Sequence, residues 1–151
     1  MPQLDLDRYA GQWHEIARYS NFFERKCVGD VTASYARNAD DTVTVVNACR
    51  KDDGTMQRAE GLARVVGPAK LEVRFAPAWL GLLPFVWGDY WVIDLAPDYR
   101  YAVVGEPSRE YLWILARDPR MEDATYARIT GSLAALGYDA AKLLRNPSPA
   151  R

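Results

Sequence analysis

The sequence predicts an all-β fold of eight antiparallel strands with one α-helix appended near the C-terminus. Two observations carry this. Short segments rich in Val, Ile, Thr, Tyr and Trp recur along the chain with Gly, Pro, Asn and Asp between them, and apolar recurrence at helical spacing is confined to the stretch after residue 121. At 151 residues the chain reads as one domain, residues 1–151, large enough to bury a core without a metal.

The strands follow in order. The segment around Trp13 is the first. "VTASYAR" and "TVTVVNAC" flank Asn38, Ala39, Asp40 and Asp41, whose side chains suit a tight polar turn, so they form a hairpin. "QRAEGLARVV" and "KLEVRFA" flank Gly67, Pro68 and Ala69 as a second hairpin. "DYWVIDLA" and "YRYAVVGE" flank Pro97 and Asp98, and "EYLWILAR" after "GEPSR" completes the meander. Asp118 and Pro119 end the last strand. From about Glu122 the residues Tyr126, Ile129, Leu133 and Leu136 recur as one greasy stripe, with Gly137 placed to end the helix.

Successive strand residues point to opposite faces, so parity sorts the side chains. In "KLEVRFA", Leu71, Val73 and Phe75 share the inner face and Glu72 and Arg74 the outer. In "YWVIDLA", an outward Asp94 puts Trp91, Ile93 and Leu95 inside. "EYLWILAR" is apolar on both faces. If the helix covers Leu112 and Ile114 from outside, then Tyr111, Trp113 and Leu115 face inward. Tyr35 and Asn47 share inward parity with their apolar neighbours; either they hydrogen-bond each other or they meet a ligand headgroup.

Composition excludes some functions. The 19 basic and 20 acidic side chains nearly cancel and no run of like charge appears, which argues against nucleic acid as a partner. No stretch approaches the ~18 apolar residues that span a bilayer as a helix, and "MPQLDLDRY" has no signal-peptide core. Five Trp and nine Tyr exceed what a plain core needs, so something flat or greasy is expected inside.

"YAGQWHEIARY", with Gly11 and Trp13, is answered about a hundred residues later by "EYLWILARDP", with Arg117. Together, in this order, they resemble the lipocalin signature. "FERKCVGDVTASYARN", "VTVVNACRKDDGTMQRAEG", "GDYWVIDLAPDYRYAVVGEPSREYLWILARDP" and "GYDAAKLL" further resemble the bacterial, apolipoprotein D-like lipocalins of the Blc type, over residues 4–144. The resemblance implies an eight-stranded up-and-down β-barrel with the helix packed on its outside. One end would be plugged near Gly11 and Trp13, the other open, with a ligand cavity between. It also implies a fatty acid or lysophospholipid as ligand, held without being transformed, in bacterial envelope lipid maintenance. The location would be the periplasm or outer membrane, if a leader has been removed from the sequence.

Within that frame, Tyr35, Asn47, Phe75, Trp91, Ile93, Tyr111 and Trp113 are the expected ligand-binding set. Trp13 and Arg117 are expected to stack as a structural cation–π pair at the barrel base. Cys27 and Cys49 lie toward the same barrel end and are expected to form a disulfide. Strict pairing of Arg37 with Thr42 would set Cys27 opposite Asp52, so the bridge needs a bulge; two free thiols are the alternative. Residues 76–89 carry Trp79, Leu80, Leu83, Phe85 and Trp87 on a Gly- and Pro-broken segment beside Phe22 and Phe23. This mouth loop either caps the cavity or forms an apolar lip toward a membrane or a second copy in a homodimer. No metal site or cofactor is expected: His14, the sole histidine, reads as structural, which leaves haem binding weakly supported. The alternative from another class is an isomerase or de-epoxidase on the same barrel, using Cys27, Cys49 or Tyr side chains.

Overall fold

The computed structural model describes residues 4–19, 27–76 and 88–146, the side chains of Phe75 and Ala76 excepted. A short helix α1 (Leu6–Tyr9) leads into β1 (Gly11–Tyr19). β2 (Cys27–Arg37), β3 (Val43–Lys51), β4 (Met56–Gly67) and β5 (Lys70–Ala76) follow as antiparallel neighbours, then β6 (Gly88–Leu95), β7 (Tyr101–Gly105) and β8 (Leu112–Ala116). β1 pairs with β8 on one side and with β2 on the other, which closes an eight-stranded barrel. Helix α2 (Asp123–Ser132) runs on through a 3₁₀ turn over Ala134–Leu136, and a short β9 (Leu143–Arg145) adds to β1 near its upper end.

Polar turns set the hairpin registers. After β2, Asn38 donates its backbone N–H to Thr42 O, and Asp40 accepts from the Thr42 N–H and hydroxyl. That turn pairs Arg37 with Val43, one residue on from the strict pairing with Thr42. Irregularities at Gly29 then place Cys27 opposite Lys51, and the Cys27–Cys49 disulfide is closed, with Cα atoms 5.6 Å apart. A bulged strand start is the device that makes this bridge fit.

Two apolar clusters share the sheet. The inner one includes Tyr9, Trp13, Tyr35, Val45, Ala63, Leu71, Val92, Val104 and Leu115. The outer one joins Ile16, Val103, Leu112 and Ile114 to Ile129, Leu133 and Tyr138. Both faces of β8 are therefore apolar because one is the barrel lining and the other the seat of α2. Gly137, at φ 87°, ends the helical stretch in the left-handed region, and the Arg109 side chain donates to the Leu136 carbonyl there.

Candidate functional site

The closed end is built by the N-terminal segment. Asp5 caps α1, its carboxylate accepting from the Asp7 and Arg8 N–H groups, and the helix delivers Tyr9 to the barrel interior. Trp13, fully buried, donates its indole N–H to the Tyr9 carbonyl at 2.8 Å. The Arg117 guanidinium lies 3.9 Å from the Trp13 ring centroid and donates to the carbonyls of Gln12 and Arg8. Gly11 sits at φ 104°, where a side chain would be strained, and a Cβ there would press to 3.2 Å from the Arg117 guanidinium. Trp13 and Arg117 thus tie strand, helix and barrel floor together beneath the interior. A hollow of about 380 Å³ also lies at this end, bounded by Leu4, Leu6, Val65 and Ala69.

Above the floor stand three phenols. Tyr90 is hydrogen-bonded to Tyr9 at 2.6 Å and to Tyr35 at 2.7 Å. Their rings are close-packed, with Tyr9 and Tyr35 centroids 5.4 Å apart and Tyr35 and Tyr90 6.0 Å apart, edge to face. Burial pushes all three hydroxyl pKa values well above the ordinary phenol value, and the mutual closeness of the three phenols raises those of Tyr9 and Tyr90 further. They are neutral groups. Tyr35 bonds to Tyr90 and not to Asn47, which removes the first of the two alternatives for that pair. Asn47 sits across from Ala33 and Ala59, and its side chain has no hydrogen-bond partner among the described residues.

Further along the interior, Trp113 packs against the inner cluster, and the Tyr111 ring stacks on it at 5.9 Å and 5°. The side chain of Phe75 and the mouth residues Phe22, Phe23, Trp79, Leu80, Leu83, Phe85 and Trp87 lie outside the described residues.

Two expectations are corrected. Trp91 is paired with Lys70, whose ammonium lies 4.3 Å from the indole centroid, while its neighbours Tyr90 and Val92 face inward. Ile93 packs into the outer cluster beneath α2. The reason is a bulge between Val92 and Asp94. Asp94 is outward and Leu95 inward, as parity requires, but one extra residue at the bulge inverts the parity of everything before it. The same bulge hid Tyr90, the central phenol. Tyr9 was missed for a different cause: Asp5 ahead of Leu6 is an N-cap signal too short to announce a helix of four residues. A third group that sequence reasoning missed is buried Glu15, whose carboxylate accepts from Arg18 at 3.0 Å and from Asn146 at 2.8 Å and so fastens the segment after β9.

The described interior thus presents apolar walls, an aromatic pair, the neutral phenols and one buried ion pair, Glu15 with Arg18. That arrangement suits holding an apolar molecule. Cys27 and Cys49 carry no free thiol, and burial keeps the three clustered phenols Tyr9, Tyr35 and Tyr90 protonated. His14 lies on the outer strand face across from Thr32 and Ala116, away from the interior where haem would sit. No helix among the described residues is long and apolar enough to cross a membrane.

Comparison with known proteins gives a consistent result. A family model described as a lipocalin-like domain matches residues 4–148. The chain is 41% identical to temperature-induced lipocalin-1 of Arabidopsis thaliana, covering 95% of this chain and 79% of that protein. It is 37% identical to the outer membrane lipoprotein Blc of Escherichia coli K12, covering 93% of this chain and 77% of that protein. Insecticyanin from the tobacco hornworm Manduca sexta superposes with a TM-score of 0.77 at 21% identity, covering 97% and 82% of the two chains, a likeness of fold alone.

Proposed function

The chain belongs to the lipocalin family, and we propose that its barrel binds, stores and carries a fatty acid or lysophospholipid in the lipid maintenance of a bacterial envelope. Binding and transport of a small hydrophobic molecule is the general role of the family. The observation that carries the finer reading is the 37% identity to an outer membrane lipoprotein across 93% of this chain. The mechanism is burial: each Å² of apolar ligand surface removed from water contributes about 25 cal/mol, and a few polar groups fix its orientation. The same likeness supports a periplasmic or outer-membrane location. The dense apolar side chains of residues 76–89 support a lip that meets a lipid surface or a second copy.

Native mass spectrometry of protein purified without added lipid tests this, since it reports ligand mass and subunit count together. A bound species with the mass of a fatty acid or lysophospholipid is expected. Repeated purification from different hosts with no co-purifying lipid would remove the storage and transport reading.

A further inference from the structure

Three phenols carry three hydroxyl protons, and the array at the barrel's closed end uses two. Tyr90 bonds to Tyr9 on one side and to Tyr35 on the other. Whichever way these two bonds run, one of the three hydroxyls keeps a proton with no acceptor among the described residues. When Tyr9 or Tyr35 keeps it, solvent outside the barrel does not supply one, since these residues are 2% and 8% exposed. Buried donors are almost always satisfied, and a hydrocarbon tail filling the barrel would seal this one off from water while offering nothing in return.

The surroundings say what could satisfy it. A cavity of about 10 Å³ touches all three rings, with Val43, Ala63 and Leu71 among its other walls. That is room for one atom the size of a water oxygen. The walls are apolar and hold no free cation. Arg37, at the edge, is engaged by Asp7 and Asp41, and Arg117 lies on Trp13 with its donors committed to backbone carbonyls. An ionised carboxylate brought here would lose its hydration with no counter-charge to replace it. A neutral oxygen would not.

We propose that the closed end of the barrel is a hydrogen-bond-donor subsite, in which Tyr9, Tyr90 and Tyr35 present one phenolic proton to a neutral hydroxyl or carbonyl oxygen at the deepest-lying end of the ligand. This rests on the reading that the barrel holds an amphiphile, and it narrows the ligand class to chains oxygenated at the end away from the mouth. The high phenol pKa values agree with it, because the donors stay protonated at any physiological pH.

The test is calorimetric titration of hexadecanoic acid and 16-hydroxyhexadecanoic acid into the full chain and into the triple variant Tyr9→Phe/Tyr35→Phe/Tyr90→Phe. On going to the variant, the hydroxylated acid should lose up to about tenfold in affinity relative to the plain acid, the value of one hydrogen bond. A relative change under about twofold, with both acids bound, overturns the subsite and leaves the binding function standing. Failure of both acids to bind the unmodified chain would overturn the function itself. If the variant does not fold, the unmodified chain decides alone: equal or tighter binding of the hydroxylated acid supports the subsite. Weaker binding overturns it, because a hydroxyl buried without a partner costs affinity.

Discussion

Tyr9, Tyr35 and Tyr90 make the interior sensitive to alkali in a defined direction. Burial raises their pKa values in the folded chain above the unfolded value of about 10. Stability is therefore fully present below about pH 10 and is lost as pH rises beyond it, since only the unfolded chain ionises these phenols readily. In a spectrophotometric titration, three of the nine tyrosines should ionise only as the barrel's circular dichroism disappears. Ionisation of all nine near pH 10 with the dichroism intact would contradict the buried array. The tryptophans make a second residue-scale prediction. Trp113 lines the interior and Trp91 stands outside against Lys70, so quenching by a brominated fatty acid should fall sharply in Trp113→Phe and stay unchanged in Trp91→Phe. The reverse pattern would put the ligand elsewhere. Trp91 also marks where the sequence stops being legible: alternation is a reliable guide along Leu71 and Val73, but it carries no mark of the residue at which a strand gains a bulge.

At the level of elements, legibility follows length. The stripe Tyr126, Ile129, Leu133, Leu136 spans several turns and announces α2, whereas α1 and β9 are four and three residues long and are held by their surroundings. The β2–β3 hairpin shows both outcomes in one element. Its two strands and turn follow from composition, while the seating of Cys27 near Cys49 depends on the register shifts around Gly29 at the hairpin's open end. The bridge encloses a separation of 22 residues, for which the loss of unfolded-chain freedom is worth about 3 kcal/mol. Cys27→Ser/Cys49→Ser should therefore melt about 10 °C lower than the parent while keeping the same fold. A change of less than about 2 °C would mean that the hairpin is fixed by its turn and strand pairing alone.

For the whole molecule, the barrel and its helix were readable because closure, patterning and the Trp13–Arg117 pair all point to one architecture. The content of the cavity was not, because it depends on which of two faces each aromatic takes. Leu80→Ser/Leu83→Ser tests how the molecule meets its surroundings. An outward lip predicts an unchanged melting temperature with weaker vesicle co-sedimentation or a shift toward monomer in sedimentation velocity. A loop folded inward predicts the opposite, since burial of each leucine is worth about 1.5–3 kcal/mol, and that outcome would end the case for a surface-active lip. β1 has a further consequence, for synthesis of the chain. It is made before its partners, for half of it pairs with β8 and its last three residues with β9, about a hundred and more positions later. During translation the seam has no second edge to find, so the barrel cannot close until β8 has been made. Ribosome-stalled chains ending at residue 110 should leave the second half of β1, which pairs with β8 and β9, unprotected from hydrogen exchange, and stalled chains with residue 146 outside the exit tunnel should protect it. A lipocalin seamed in this way stays open while its strands are being made one by one, and it acquires an inside only when β8 arrives to meet β1.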